Sequence, residues 1–281
     1  MSPIHDQSYR RYAGERRALG RSWSVISGTG IRSLLSRKWF LALLVFAYVP
    51  FIVYAVQIYV VTAYPQASGF LSVNAKMFMN FLDWQDPFIF FVTVFAGSGL
   101  IAADRRANAM QIYLSKPLLR LEYIAGKLGI LITFLLFVTL VPAVLLLLLQ
   151  ISFTGSLEFV RNNLFIVPAI VLGSLMRVLV SGFAMLALSS LSKSTRYVAI
   201  LYTGVIFFTD AIFGVMVAIT GSTRVAWLSF GANIDNVSDA IFRQTPRYDA
   251  PVVVSVLVLL AIVAVSISVL ERRVRGVEVV A

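Results

Sequence analysis

The sequence predicts an all-α membrane protein with six transmembrane helices, and three observations lead to this fold class. Hydrophobic residues make up 59% of the 281 residues and charged residues only 13%, about half the charged fraction of a soluble domain. Six apolar runs approach or exceed the roughly 20 residues that a helix needs to cross the hydrocarbon layer. The runs are uniformly apolar, without the alternation that membrane β-strands require.

The amino-terminal region, residues 1–38, is predicted to be a cytoplasmic tail that ends in an interfacial helix. Residues 24–38 alternate apolar and basic side chains with a helical period, although Gly28 and Gly30 weaken a helix. A transmembrane domain (39–270) and a cytoplasmic tail (271–281) follow. The predicted spans are 39–63, 88–103, 126–151, 165–191, 198–220 and 251–270.

The second span is the shortest, at about 16 residues or roughly 24 Å. We expect its helix to extend backward through the amphipathic stretch MFMNFLDWQ, residues 77–85. In that case Asp83, Trp84 and Asp86 lie at the membrane interface.

The distribution of basic residues predicts the orientation. Of the 24 Lys and Arg residues, eighteen precede the first span or lie in the second-to-third loop, the fourth-to-fifth loop or the tail. Five lie on the opposite side, and Arg177 lies within a span. Both termini are therefore expected in the cytoplasm. The net charge of +11 then favours anionic lipid over nucleic acid as the partner of these residues.

Composition also excludes several kinds of chemistry. The chain has no cysteine, and its single histidine, His5, lies in the polar tail, so thiolate and histidine metal sites are not expected. No phosphate-binding G-x-x-x-x-G-K-[ST] motif is present, so we expect no ATP hydrolysis by this chain and no catalytic residue. The small residues Gly97, Ser98 and Gly99 predict close helix packing.

Two charged residues lie deep within predicted spans, where an ionised side chain is costly without a partner. Arg177 and Asp210 are about 21 Å and 18 Å from the cytoplasmic ends of the fourth and fifth spans. The two spans are joined by a short turn, so we expect an ion pair between them. Either a structural bridge or a role in substrate handling fits this pair.

The last external loop, 221–250, is too long for a simple turn. It predicts a short helix capped by Asn233, with Ile234, Val237 and Ile241 on one face and with Trp227 and Phe230 nearby. An ordered loop without a function is the alternative.

The segment between the second and third spans, residues 104–127, is the densest charged stretch of the hydrophobic region: DRRANAMQIYLSKPLLRLEYIAGK. Residues 107–114 predict a short helix with Met110 and Leu114 on one face. Pro117 ends this helix, because its ring clashes with the preceding turn. Gly126 lets the third span begin close to a neighbouring helix. A helix held beneath the membrane between two spans can transmit force from a cytoplasmic partner.

This segment resembles the signature of type-2 ABC exporter permeases, in which an acidic residue closes the second span and a coupling helix follows. The matching positions are Leu114, Ser115, Lys116, Pro117, Leu118, Arg120, Glu122, Tyr123, Gly126 and Lys127. Asn108-Ala109 replace the family's usual Gly-Thr, and Leu119 replaces a small Ser or Thr. The six spans, the interfacial helix and the long last loop extend the resemblance over the whole chain.

The resemblance implies a permease subunit in a bacterial plasma or inner membrane that pairs with a second copy of itself. Two separate ATP-binding cassette subunits would dock on residues 107–115, and ATP and Mg²⁺ would bind those subunits. The implied coupling helix and lead-in comprise Asp104, Arg105, Arg106, Met110, Tyr113, Leu114, Lys116, Pro117, Arg120, Glu122, Gly126 and Lys127. The implied outer gate comprises Trp227, Phe230, Ile234, Val237 and Ile241.

The few buried charges favour a lipidic or amphiphilic substrate over a multivalent ion. The family's usual dimer contacts are the first and fifth spans, and the fifth offers the small residues Ala199, Thr203, Gly204 and Ala211. The alternative function is a membrane scaffold or accessory subunit with no transport path. A stand-alone carrier is disfavoured, because no inverted repeat is evident.

Overall fold

The computed structural model describes residues 22–64, 66, 70–109 and 119–274, and all regular elements in these ranges are helical. The α-helices are α1 (Ser22–Leu35), α2 (Lys38–Phe46), α3 (Val49–Ala63), α4 (Ala75–Val92), α5 (Ala102–Arg106), α6 (Arg120–Val138), α7 (Leu140–Thr154), α8 (Glu158–Asn162), α9 (Ile166–Leu191), α10 (Thr195–Thr220), α11 (Phe230–Ile241) and α12 (Val252–Arg273). A π-helical turn, Thr93–Gly97, follows α4, and a 3₁₀-helix, Thr223–Leu228, precedes α11.

Six helical segments of the described chain are long and apolar enough to cross a membrane, which confirms the predicted six-span helical architecture. They are Lys38–Ala63, Ala75–Arg106, Arg120–Thr154, Ile166–Leu191, Thr195–Thr220 and Val252–Arg273. After six crossings, α1 and the end of α12 lie at one face of the bundle, here called the termini face. The 221–250 segment lies at the opposite face, called the loop face.

Proline determines where the first and third spans are broken into two helices. A proline has no N–H to donate to the carbonyl four residues earlier. Pro50 therefore cannot continue the hydrogen-bond ladder from Phe46, the last residue of α2. Pro142 has the same relation to Val138, the last residue of α6. The interruption of each of these two spans therefore coincides with a proline of the sequence.

The second span begins much earlier than the apolar run that predicted it. Its first helix starts at Ala75, where the Asn74 side chain accepts a hydrogen bond of 3.0 Å from the Met77 backbone N–H. Asp83 and Asp86 therefore lie two to three turns inside the helix, about 12 and 17 Å from its start. The predicted backward extension through residues 77–85 is therefore confirmed, and the interfacial position of Asp83 and Asp86 stays a prediction.

The amino-terminal helix α1 is confirmed and packs closely on α6. A Cβ on Gly126 would lie 2.8 Å from the Cβ of Ile26, and a Cβ on Gly30 would lie 2.1 Å from a side-chain carbon of Ile130. The Ser27 hydroxyl donates a hydrogen bond of 2.8 Å to the Gly126 carbonyl. Glycine is therefore required at this crossing, as predicted for Gly126.

Near the termini face the second span leaves regular α-geometry and is held by the fourth span. The Ser189 hydroxyl donates to the Ser98 carbonyl at 3.0 Å and accepts from the backbone N–H groups of Ile101 and Ala102, each at 3.1 Å. A Cβ on Gly97 would lie only 2.4 Å from the Met185 side chain, which confirms the predicted close packing.

The fourth span is the centre of the bundle, and the fifth lies at its margin. Residues inside the protein make up 61% of the apolar window of the fourth span but only 6% of that of the fifth. About half of the residues of the fifth span are exposed at the surface of the single chain, and few are fully buried.

Candidate functional site

A cluster of carboxylates and arginines joins the second and fourth spans to the loop face. Asp83 and Asp86 are three residues apart on α4 and therefore share one side of that helix. The Arg177 guanidinium, fully buried on α9, donates from Nη2 to Asp83 Oδ1 at 2.6 Å and from Nε to Asp86 Oδ1 at 3.0 Å. These charge-assisted bonds compensate the loss of hydration that burial imposes on the arginine.

Arg247, from the segment between α11 and α12, continues the cluster at the loop face. Its Nη1 lies 2.9 Å from Asp83 Oδ2 and 3.5 Å from Asp235 Oδ1, and its Nε lies 2.9 Å from Asp239 Oδ1. The Tyr248 hydroxyl donates to Asp235 Oδ2 at 3.2 Å. Asp83 thus bridges an arginine within the spans and an arginine of the external segment.

Burial and charge shift the pKa values of the groups outside the spans. Burial raises the pKa of Asp235 above its ordinary value, while Arg247 lowers it and Asp83 raises it. Burial lowers the pKa of Arg247, but Asp235, Asp83 and Asp239 outweigh this effect and raise it. Burial also raises the pKa of Tyr248 to about 12. Arg247 and Tyr248 are therefore protonated at neutral pH.

Three carboxylates of the cluster have the spacing of a cation site. Asp83, Asp86 and Asp235 each offer an oxygen within 4.8 Å of the others. Oxygen ligands of this kind suit hard cations. The guanidinium groups of Arg177 and Arg247 already lie at salt-bridge distance from these carboxylates, so protein cations supply the compensating charge.

The predicted Arg177–Asp210 ion pair is wrong, because both residues bind other partners. The similar depth of the two residues was predicted correctly, but Arg177 is saturated by carboxylates of the second span. Asp210 Oδ1 instead accepts from the Ser229 hydroxyl at 2.5 Å and from the Gly231 N–H at 3.4 Å. Asp210 thereby holds the start of α11 against the fifth span, and it makes no salt bridge with any described residue.

A cavity of about 310 Å³ lies between the second, fourth and fifth spans and α11. Asp86, Arg177 and Asp210 provide its charged lining. The remainder is mainly apolar and aromatic, including Phe90, Phe91, Tyr202, Phe207 and Phe230. A cavity of this size with a few charged groups in an apolar wall is typical of a small-molecule site.

Phe90, Phe91, Tyr202 and Phe207 form a connected aromatic wall of the cavity. Phe90 stacks on Tyr202 with ring centroids 5.9 Å apart and meets Phe207 edge-on at 5.7 Å. Phe91 and Phe207 are more than half exposed, whereas Arg177 is completely buried. The cavity therefore has its charged floor inside the bundle and its aromatic mouth between the second and fifth spans.

The predicted coupling segment is anchored at both of its described ends. Asp104 Oδ2 lies 2.7 Å from Lys127 Nζ and accepts a hydrogen bond of 2.7 Å from the Tyr123 hydroxyl. Arg105 donates from Nη1 to the Ser190 carbonyl, and Arg106 donates from Nε to the Lys193 carbonyl at 3.1 Å. Asp104, Arg105 and Arg106 therefore link the second span to the third and fourth spans.

Residues 110–118 lie outside the described residues, and with them five of the predicted coupling positions: Met110, Tyr113, Leu114, Lys116 and Pro117. Of the lead-in residues, Arg120 is exposed and Glu122 is buried. Glu122 Oε2 accepts a hydrogen bond of 3.4 Å from the Leu119 N–H, which caps the first turn of α6.

The predicted outer gate is an ordered helical element. Ser229 caps α11 by accepting from the Ala232 N–H at 2.8 Å, so the prediction that Asn233 is the cap is wrong. The Asn233 amide instead donates to the Trp227 carbonyl at 3.0 Å. The predicted apolar face is confirmed: Phe230, Ile234 and Val237, with Ile241 beside them, pack against Val180 and Leu259.

Sequence reasoning missed the acidic partners and Arg247. The signal for the former was the pair Asp83 and Asp86, three residues apart beside an apolar run, which is a spacing that directs two carboxylates to one helix face. Arg247 has no such local signal for its contact with Asp83, because the two positions are 164 residues apart. Asp235 and Asp239 join the cluster through their contacts with Arg247.

The fold and these contacts define a multi-pass helical membrane protein with a charged, aromatic-walled cavity and a pinned connection between its second and third spans. No protein-family model matches the chain, and no curated protein matches it. A more specific assignment therefore depends on the residues and geometry of this chain.

Proposed function

We propose that the chain is the permease subunit of an ATP-driven exporter in a bacterial plasma or inner membrane. Two copies would assemble with two copies of a separate ATP-binding cassette subunit and move a lipidic or amphiphilic substrate outward. The residue pattern of segment 104–127 motivates the proposal. The observation that carries it is the charged contact between the two ends of that segment.

The contact between the two ends of segment 104–127 suits an element that transmits a displacement to the spans. Asp104 precedes the connection, and Tyr123 and Lys127 follow it. These three side chains join the ends of the second and third spans through two contacts of 2.7 Å each. A partner that pushes on the intervening residues then displaces both spans together. An unpinned loop would absorb the same displacement by bending.

The second span also connects the proposed docking end to the cavity. From Arg106 to Asp86 it extends 20 residues, or roughly 30 Å. At one end it is tied to the fourth span through Ser189, and at the other through Arg177. Movement of the second span relative to the fourth would change the shape of the cavity between them, which is what alternating access requires.

Purification with and without a partner tests the proposal. The chain, solubilised in mild detergent, should co-purify with an ATP-binding subunit that carries the phosphate-binding motif, and reconstitution should increase the ATPase rate of that subunit. Met110→Asp should abolish this increase, because a buried carboxylate disrupts the apolar edge expected to contact the partner. Gln111→Glu adds the same charge at a position outside that apolar edge, and the increase in ATPase rate should remain.

Different outcomes separate the alternatives. Unchanged stimulation in Met110→Asp would show that the docking assignment is wrong. Failure to recover any ATP-binding subunit, in detergent and in lipid, would favour the scaffold or accessory subunit over the exporter.

A further inference from the structure

Among the described residues, the cavity between the second and fifth spans combines negative charge with an aromatic wall. Two carboxylates line it, Asp86 and Asp210, and the only cation lining it is Arg177. Arg177 also pairs with Asp83, a carboxylate that does not line the cavity. The cavity and its immediate surroundings therefore carry an excess of negative charge.

Asp210 is the carboxylate of the cavity that lacks a compensating positive charge among the described residues. Its Oδ1 accepts two hydrogen bonds, but neither donor is charged, and no described cation pairs with it. It lies about 15 Å from the loop-face end of its span. An ionised carboxylate at that depth is costly unless a positive charge compensates it.

The aromatic wall favours the same ligand charge. The face of an aromatic ring carries negative electrostatic potential and attracts a cation within about 6 Å of its centroid. Phe90, Tyr202 and Phe207 form adjoining walls of the cavity, with centroid separations of 5.7 and 5.9 Å from Phe90. An anion would meet two carboxylates and the same rings, and it would be repelled by both.

The position of the cavity mouth indicates how apolar the uncharged part of the ligand must be. The exposed side chains of Phe91 and Phe207 lie at the mouth, on the surface of the second and fifth spans that faces the surroundings of the chain. Around the single chain in a membrane those surroundings are acyl chains, and in the proposed homodimer they also include the fifth span of the second copy. A ligand that arrives by this route must itself partition into lipid.

We propose that this cavity binds an organic monocation with an apolar or aromatic body. The positive centre lies between Asp210 and Asp86, and the body packs against Phe90 and Phe207. As a statement about the exported substrate this rests on the proposed function, whereas the binding itself can be measured on this chain alone.

The test uses two probes with the same shape and opposite charge. The full chain in lipid nanodiscs is titrated with radiolabelled tetraphenylphosphonium and, separately, with tetraphenylborate, and empty nanodiscs correct for partition into lipid. We expect saturable binding of the phosphonium, at one site per chain, and no saturable binding of the borate. Equal binding of both ions, or no saturable phosphonium binding, would overturn the proposal.

Variants assign the binding to the cavity. Asp210→Asn keeps an oxygen for the Ser229 and Gly231 donors but removes the charge, and should weaken phosphonium binding about tenfold, the effect of roughly 1.4 kcal/mol. Asp249→Asn makes the same change at an exposed position outside the cavity lining and should bind like the unmodified chain.

Phe207→Ala provides a second variant that does not depend on Asp210, because its ring is mostly exposed and contributes little to the core. It should weaken phosphonium binding severalfold. Unmodified affinity in both Asp210→Asn and Phe207→Ala would locate the cation elsewhere and refute the site. If a nucleotide-binding partner co-purifies while phosphonium fails to bind, the ligand class is wrong and the exporter proposal stands.

Discussion

Arg177 is completely buried, and its guanidinium is held by two carboxylates of a neighbouring span. Removing one member of a buried ion pair typically costs about 3–5 kcal/mol, because the remaining charge is left without compensation. Removing either Arg177 or Asp83 alone should therefore destabilise the bundle. Asp83 has a second cation, Arg247, which limits the loss when Arg177 is removed.

A double-mutant cycle tests which carboxylate is coupled to Arg177. Arg177→Gln and Asp83→Asn should each lower the thermal stability of the detergent-solubilised protein. Their combination should recover part of the loss, with a coupling free energy of roughly 0.5–3 kcal/mol. Arg177→Gln with Asp210→Asn should instead be additive within about 0.5 kcal/mol.

Arg224→Gln provides the control for the cycle, because Arg224 is exposed and forms no salt bridge with any described residue. Its melting temperature should match that of the unmodified chain. Coupling to Asp210 rather than to Asp83 would contradict the ion pairs described here.

The sequence predicted the need of Arg177 for a carboxylate but not the identity of that carboxylate. A charge deep in a span requires a partner, and Asp210 is at a similar depth. Asp210 is about 22 Å from the start of its helix at the termini face, and Arg177 is about 21 Å from the end of its helix at the same face. Asp83 and Asp86 were not considered as partners, because they were predicted to lie at the membrane interface and not beside Arg177. The assumed interfacial position of these two carboxylates thus led to the wrong partner for Arg177.

At the scale of elements, the second span departs from a regular α-helix at a π-helical turn, Thr93–Gly97. Its π-helical turn and the turn after it leave backbone groups near Ser98, Ile101 and Ala102 outside the usual hydrogen-bond ladder. Backbone groups buried in a membrane protein must find partners within the protein. Ser189 provides one acceptor for two N–H groups and one donor for a carbonyl.

Replacing this serine should loosen the second span from the fourth. Ser189→Ala removes all three bonds and should destabilise the protein by about 1–3 kcal/mol, the cost of leaving buried polar groups unpaired. Ser190→Ala is the matched control, because Ser190 is equally buried but its hydroxyl donates only to Ala187 in its own helix. The melting temperature of Ser189→Ala should be clearly lower than that of Ser190→Ala, and equal values would contradict the role of Ser189.

The breaks at Pro50 and Pro142 have a local cause in the sequence, although Pro87 lies within α4 without interrupting it, and the break in the second span has no such cause. Pro50 and Pro142 each remove a specific backbone donor, so the helix ends are fixed by local chemistry. The π-helical turn has no comparable residue. It depends on Gly97 meeting Met185 and on Ser189 in a distant span, which are contacts that no window of the sequence contains.

At the scale of the whole molecule, the single chain is unevenly packed. The fourth span is enclosed by its neighbours, but of the residues in α10, the fifth span, only Val198 and Tyr202 are buried. A Cβ added at Gly204 or at Gly214 of this span would meet nothing within 4 Å. Small side chains on an open helix surface permit close approach of another helix. This surface is where the proposed homodimer would form.

Cross-linking tests the dimer directly, because the chain has no cysteine of its own. A single Thr203→Cys variant in lipid should give a disulfide-linked dimer on mild oxidation, since the symmetry of an isologous interface brings a residue near the axis close to its own copy. Ala187→Cys, buried in the fourth span, is the control and should stay monomeric. With the ATP-binding partner present, the yield at Thr203→Cys should change when ATP is added, because the interface moves in the proposed mechanism. A chain that remains monomeric at Thr203 and at every other position tried along the first and fifth spans would refute the exporter as proposed.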